Sequence, residues 1–336
     1  MKIVIDIAGC DHPDLLVAGT VNAAKRHPDY TMVLVGDGEF IKSNLKSDVP
    51  NIVIEHAPDV ITNDDVPTQA IRQKPDSSLV RAFNILKDDD EAIGLVSGGS
   101  TGAVLTGATL LVKRIKGVKR PTLASFLPTT TRKLVCVADC GANVDSLPEY
   151  IAQFALMANA YVKAVLGIDE PRVGLLSNGT EEKKGDERTR AAHELLKQLP
   201  INFVGNLEAR DVVSGNYDLI VSDGFSGNIL VKSTEGTAKM VMTLLKGALM
   251  SSFKAKLGAL LVKSSLNELK TSMNYHSYGG AAFLGVKKLV VKTHGSSNEV
   301  STAASIDNII RMHESNIISE IERELERTAS TESEEQ

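Results

Sequence analysis

Short apolar runs of Val, Ile and Leu, each closing on a loop of Gly, Asn, Ser and Asp before a helical pattern begins, recur six times along the chain. They occupy residues 3–5, 32–35, 93–96, 134–138, 173–176 and 219–221. Strands that are apolar almost without interruption and alternate with helices are buried on both faces, the pattern of a parallel sheet. The expected fold class is α/β, a three-layer α/β/α sandwich around a doubly wound, mostly parallel sheet. Right-handed crossovers would bring all six loops to one rim. Their backbone N–H groups and helix N-termini would suit an anion such as phosphate there.

At 336 residues the chain is long enough for one large domain, read here as residues 1–325, followed by a disordered acidic tail at 326–336. With 37 Lys+Arg against 42 Asp+Glu, the net charge is −5 and no global basic field exists to hold a polyanion. An aromatic share of 4% with no Trp leaves little for base stacking. Nucleic acid is therefore not expected as a partner. The N-terminal apolar stretch meets Asp6 after three residues, too short for a signal peptide, and no uncharged apolar run reaches the roughly 20 residues of a membrane span. A cytoplasmic location follows as the expectation. The three cysteines, Cys10, Cys136 and Cys140, are read as buried free thiols.

The fold class invites nucleotide motifs, and they are absent. Ser97-Gly98-Gly99-Ser100-Thr101-Gly102 lacks the first glycine of GxGxxG, Gly36-Asp37-Gly38 lacks the third, and no GxxxxGK[ST] occurs. Residues 98–102 match GxSxG, which taken alone reads as a hydrolase with Ser100 as nucleophile, an acid such as Asp223, and His294. The loops at 139–145 and 177–187 have no task in such a triad. In the latter, Asn178, Gly179 and Thr180 precede Glu181, Glu182, Lys183 and Lys184, and Gly185 beside Lys184 permits a tight turn. Two further loops, Asp139-Cys140-Gly141-Ala142-Asn143-Val144-Asp145 and Ser222-Asp223-Gly224-Phe225-Ser226-Gly227-Asn228, each set Asp and Asn across glycines. Asp can cap the following helix, and an Asn amide can donate to a developing oxyanion.

Taken together, these loops resemble the bacterial phosphate acyltransferase family of phospholipid synthesis, nearly end to end. The resemblance is carried by residues 6–12, 64–74, 76–78, 97–103, 114–117, 139–145, 174–187, 205–211, 223–228, 278–281, 284–285 and 294–297. Three places depart from the family pattern. Ala8-Gly9-Cys10-Asp11 stands where Met-Gly-Gly-Asp is usual, Gly98 and Ser100 where Ala and Asn are usual, and Ala282 where Pro is usual. An Asn normally at position 100 would make the GxSxG match accidental.

The resemblance implies a fold related to isocitrate dehydrogenase and phosphotransacetylase, and a homodimer without metal or other cofactor. It implies transfer of a long-chain acyl group from acyl carrier protein to inorganic phosphate. The acyl phosphate would pass to a membrane glycerol 3-phosphate acyltransferase, with the enzyme held peripherally at the cytoplasmic membrane. Lys184 and Asn228 match the positions nearest the reacting groups, Lys184 on phosphate and Asn228 on carbonyl oxygen or phosphate. The matching loops supply the rest of the expected substrate site: Asp6, Gly9, Asp11 and His12; Ser97, Gly99, Ser100, Thr101 and Gly102; Asp139, Asn143 and Asp145. They also supply Asn178, Gly179, Thr180 and Glu181; Asp223, Gly224, Ser226 and Gly227; and His294. Rival readings are a short-chain phosphotransacetylase using coenzyme A, a dehydrogenase of related fold, the Ser100 hydrolase, and a non-catalytic membrane scaffold.

Residues 243–273 stand apart. Their apolar positions recur at helical spacing, and five Lys against one Glu give +4 within a chain of −5. A protruding amphipathic hairpin is expected there, breaking at Gly258 and Ser264-Ser265. It would touch an anionic membrane through Phe253, Leu257, Leu260 and Leu261.

Overall fold

The computed structural model describes residues 1–46, 49–272, 278–295 and 297–334. Met273 at the end of the expected hairpin, Ser296 of the 294–297 block, and the last two tail residues lie outside them. Among the described residues a single 11-stranded sheet runs in the order β3-β2-β1-β4-β11-β10-β5-β6-β9-β7-β8. In chain order the strands are β1 (Lys2–Asp6), β2 (Thr31–Gly36), β3 (Ile52–His56), β4 (Ala92–Ser97), β5 (Thr122–Pro128) and β6 (Leu134–Ala138). Then follow β7 (Val173–Ser177), β8 (Phe203–Glu208), β9 (Leu219–Val221), β10 (Ala281–Leu284) and β11 (Leu289–Lys292).

Helices cover both faces, as the apolar strands require. Ile3 and Ile5 face a core built with α1 (Pro13–Arg26), α2 (Gly38–Asn44), α6 (Pro148–Leu166), α7 (Glu187–Gln198), α11 (Glu299–Glu314) and α12 (Ile317–Glu334). Val4, on the other side of the pleat, faces α3 (Pro67–Gln73), α4 (Ser78–Asp88), α5 (Thr101–Gly107) and the start of α8 (Gly224–Met250). Local sequence sets the helix ends. Proline opens α1, α3 and α6, where a missing N–H costs nothing. Gly167, at φ +66°, closes α6 in the left-handed conformation. Asn298 and Ser301 form a reciprocal capping box at α11.

The six strands read from the sequence are present, but the single rim is not. β11 runs parallel to β4, while β10/β11, β10/β5 and β5/β6 are each antiparallel. Three reversals make β6, β9, β7 and β8 run against β1, β2, β3, β4 and β11. The loops after β1, β4 and β11 therefore leave one edge and those after β6, β7 and β9 the other. The missed strands caused the error. β5 and β6 are a hairpin joined by Thr129-Thr130-Thr131-Arg132-Lys133, with Arg132 at φ +62°, and β10 and β11 are a second hairpin. β5 and β10 each run straight into the next strand, with no following helix to mark them.

Two outer segments also differ from expectation. α8 continues unbroken through residue 243, and the chain turns at Ser251-Ser252 into α9 (Phe253–Leu261) and again at Val262 into α10 (Lys263–Ser272). Gly258 and Ser264-Ser265 lie inside helices, and Ser252 caps α9 by accepting the Ala255 N–H. The acidic tail continues α12 as helix to Glu334. Glu320–Arg323 and Glu324–Arg327 pairs, and an Arg327 hydrogen bond to the Pro200 carbonyl, hold its preceding turns.

The α5 packing gives a direct test. A Cβ on Gly107 would lie 2.2 Å from the fully buried Phe83 ring. Gly107→Ala should cost about 1–3 kcal/mol in urea unfolding, as overpacking does. The Phe83→Leu background should recover part of that loss; strict additivity would show that the two groups do not meet.

Candidate functional site

The two sets of loops meet over the middle of the sheet. Leu123, Ser125 and Phe126 of β5 and Ala281 of β10 floor a cavity of ≈ 330 Å³. Thr101 enters from the β4 side, Lys292, Thr293, His294 and Ser297 from β11, Cys140 and Gly141 from the β6 loop, and Asn228, Lys232 and Glu235 from α8. Antiparallel β5 and β10 are what allow loops from opposite edges to face one another.

Asp139 organises one wall. Its buried carboxylate accepts from the backbone N–H groups of Leu123, Gly141, Ala142 and Asn143 and from the Asn143 side-chain amide. Burial pushes this carboxyl up, and the hydrogen bonds oppose it. The N-terminus of α8 docks on the loop so formed. A Cβ on Gly227 would sit 2.0 Å from the Asp139 carbonyl oxygen, and one on Gly224 would sit 2.6 Å from that of Asn143. Only glycine permits this approach, which brings Asn228 beside Gly141, where an added Cβ would lie 3.5 Å from its Oδ1. Asp223 caps α8 by accepting from the N–H groups of Phe225 and Ser226, and its other oxygen lies 3.2 Å from Arg188.

The opposite wall is braced by Asp6. Buried at the end of β1, it accepts from Ser97 Oγ at 2.7 Å, and Ser97 Oγ accepts in turn from the Gly99 N–H. Burial raises Asp6 to about 6. The β1 loop reaches the β11 loop through the Asp11 N–H, which donates to the Gly295 carbonyl. Gly9 holds φ +72°, where a Cβ would meet the Ile61 carbonyl at 2.9 Å. Asp11 and His12 are exposed on this loop.

The electrostatic centre is a pair of lysines that sequence reasoning missed. Lys292 donates to the carbonyls of Gly98, at 3.3 Å, and Thr293. Burial lowers its pKa to about 8, with Lys232 acting in the same direction and Cys10 and Asp6 opposing. Lys232 Nζ lies 3.5 Å from His294 Nε2 and 4.0 Å from Glu235. The resemblance put Lys184 on phosphate, whereas the lysines that line the cavity are Lys232 and Lys292. The available signal was position alone: Lys292 ends an apolar strand two residues before His294.

Other expected residues fall differently. Asn228, Thr101 and His294 line the cavity, and Asp6, Gly9, Ser97, Gly99, Asp139, Asp223, Gly224 and Gly227 shape its walls. The Asn143 amide is spent on the Pro121 carbonyl and Asp139, so it braces the loop instead of facing an anion. Ser226 gives its N–H to Asp223. Asp145 is exposed at the far end of its loop. Lys184 sits on the exposed β7 loop outside the cavity lining, its stem over Gly179. In that loop Asn178 Oδ1 accepts the Gly185 N–H, the Glu181 carbonyl accepts from Asn206, and Thr180 is exposed.

Nucleophilic side chains are disfavoured by their surroundings. Ser100 stands at the N-cap of α5 without lining the cavity, and Asp223 is engaged by α8 and Arg188 instead of orienting an imidazole. Cys140 does line the cavity, but burial holds its thiol well above the ordinary range, as it does at Cys136, and Cys10 is pushed up to about 11. All three cysteines are free. Among the described residues one cluster has metal-ligand spacing, Glu182, His193 and Glu194 on the β7 side, with Lys197 Nζ already 3.5 Å from Glu182.

A family model described as fatty acid synthesis protein matches residues 1–320. The chain is 42% identical over 325 residues to a phosphate acyltransferase of Clostridioides difficile, covering 96% of this chain and 95% of the relative. It is 45% identical over 298 residues to one from Halalkalibacterium halodurans, 88% of each chain. Among solved structures, a phosphotransacetylase from Streptococcus pyogenes superposes with TM-score 0.60 at 20% identity, covering 93% of this chain and 94% of that one. A branched-chain phosphotransacylase from Enterococcus faecalis gives 0.54 at 16%, covering 93% and 98%. These likenesses establish the fold.

The Asp139 hub yields a stability prediction. Asp139→Asn places an amide N–H where donors converge and should cost about 2–4 kcal/mol in urea unfolding at pH 7. A change below about 0.5 kcal/mol would show that the loop does not depend on this carboxylate.

Proposed function

The chain belongs to the phosphate acyltransferase family, and we propose that it moves a long-chain acyl group from acyl carrier protein to inorganic phosphate. The observation that carries this reading is the cavity in which Asn228, Lys232, Lys292 and His294 surround space for a small anion. Two ammonium groups close together repel unless a dianion lies between them.

In the reaction, an oxygen of hydrogen phosphate attacks the thioester carbonyl and the C–S bond breaks. The phosphate proton ends on the carrier thiolate, giving acyl phosphate and thiol. The bound dianion is the nucleophile, so no enzyme acyl intermediate is needed, consistent with thiols held protonated by burial. The chain's own work is to position phosphate and to stabilise the tetrahedral oxyanion. Lys292 and Lys232 hold phosphate, and the Asn228 amide donates to the carbonyl oxygen. Lys184, on the neighbouring loop, is the second candidate for the anion. A thiolate leaves readily, so His12 and His294 position substrate and need not act as acids.

Asn228→Ala and Lys292→Met should each lower kcat/KM by about 10²-fold or more in a phosphate-dependent assay that traps acyl phosphate with hydroxylamine. Lys184→Ala should fall further than Lys183→Ala. Full turnover without phosphate, with fatty acid as product, would overturn the reading and revive Ser100; a preference for short-chain acyl-coenzyme A would turn it toward a phosphotransacetylase.

The pH dependence has a defined sign. Lys292 is protonated below its pKa of about 8 and loses its charge above it, so kcat/KM for phosphate should fall as pH rises through about 8. Lys292→Arg should retain part of the activity and move that fall to higher pH, because guanidinium stays charged.

The same proposal has the enzyme work as a homodimer at the membrane surface, delivering acyl phosphate to a glycerol 3-phosphate acyltransferase. No described helix is long and apolar enough to cross a bilayer. Supporting peripheral contact, Phe253 and Leu261 are 82% and 79% exposed, and Leu257 and Leu260 are exposed beside Lys254, Lys256 and Lys263. Each Lys near an anionic leaflet contributes about 1 kcal/mol. Leu257→Glu/Leu261→Glu should abolish co-sedimentation with anionic liposomes at unchanged dimer mass. Retained sedimentation, or a lost dimer with lipid binding intact, would make these helices a subunit interface.

A further inference from the structure

Residues 113–120, Lys-Arg-Ile-Lys-Gly-Val-Lys-Arg, carry five cations and no acid in a chain of net charge −5. All five, Lys113, Arg114, Lys116, Lys119 and Arg120, are exposed. Among the described residues none is ion-paired, the nearest paired cations in sequence being Lys87 and Arg132. The Arg114 guanidinium donates to the carbonyls of Val118 and Lys119, closing the segment on itself. Buried Ile115 and Val118 anchor it, the Lys119 N–H donates to Gln153 Oε1, and Gln153 Nε2 donates to the Gly117 carbonyl. Like charges are thus held together on a fixed frame. Such an arrangement is electrostatically unfavourable until an anionic surface covers it.

Beside this segment runs a groove of ≈ 580 Å³, bounded by Arg114, Lys119 and Arg120 on one side and Thr106, Ala142 and Asn143 on the other. The same loop separates it from the reacting cavity: Cys140 and Gly141 line the cavity, and the next two residues line the groove. We propose that residues 113–120 dock an acidic carrier protein, and that the groove leads its thioester arm over the 140–143 loop to the cavity. This rests on the reading that the acyl donor is a protein-borne thioester. A bilayer fits less well, because both apolar residues of the segment are buried and none remains to insert. Nucleic acid fits less well, because Tyr150 is the one aromatic lining the groove.

The test is Lys116→Glu/Lys119→Glu/Arg120→Glu in the full chain, with long-chain acyl carrier protein and a small acyl thioester of N-acetylcysteamine as donors. KM for the acyl carrier should rise by about ten-fold or more with kcat within about two-fold, and the salt dependence of kcat/KM should flatten. The small thioester should react as with wild type. Unchanged KM and salt dependence for the carrier would overturn the assignment. Equal loss with both donors would also overturn it, placing the segment in the reacting site. Lost binding to phosphatidylglycerol vesicles with carrier KM unchanged would make it a membrane surface instead. Wild type that forms no acyl phosphate from either donor would overturn the parent reading and the docking assignment together.

Discussion

The close approach of α8 to the β6 loop is the constraint on which the site depends. Asp139 gathers four backbone N–H groups and the Asn143 amide onto one buried carboxylate, making the loop a rigid shelf. Glycine at 224 and 227 lets the helix rest on that shelf at distances no Cβ could tolerate. Asn228 is thereby fixed against Gly141, and the next turn brings Lys232 toward His294 and the β11 lysine. The amide proposed to donate to the carbonyl oxygen is thus held by a helix seated backbone to backbone on its neighbouring loop, the preorganisation that electrostatic catalysis requires.

This geometry accounts for the economy of the chemistry. Phosphate brings its own nucleophile and its own proton, so the protein's contribution reduces to holding a dianion and a carbonyl in contact. In the role proposed for it, Lys292 gains from being partly desolvated, which strengthens its attraction for an anion. The cost is the lowered pKa that burial imposes. Cys10 and Asp6, within electrostatic reach of Lys292, oppose that lowering.

The layers of the fold were legible because apolar strands and helical spacing report burial, which is a property of local sequence. Sheet direction was not, because it depends on two hairpins whose strands pair with distant partners. Thr122–Pro128 and Ala281–Leu284 have no flanking helix to announce them, yet they reverse half the sheet. Within the site, Asn228, His294 and the glycines stood out because loop composition marks them. Lys292 and Lys232 did not, one ending a strand and the other on a helix like any surface lysine. Asn143 shows the converse: its residue type suggested an oxyanion donor, and its partners make it a brace. The basic segment 113–120 was visible as letters, and its meaning required the finding that no carboxylate in the described structure neutralises it.

In the proposed site the anion sits between Lys292, Lys232 and Asn228. Soaking crystals with arsenate and locating arsenic by its anomalous scattering tests this without relying on activity. One dominant peak is expected in the 330 Å³ cavity, its oxygens within hydrogen-bond distance of Lys292 Nζ and the Asn228 amide. A dominant peak on the β7 loop beside Lys184, with the cavity empty, would contradict it.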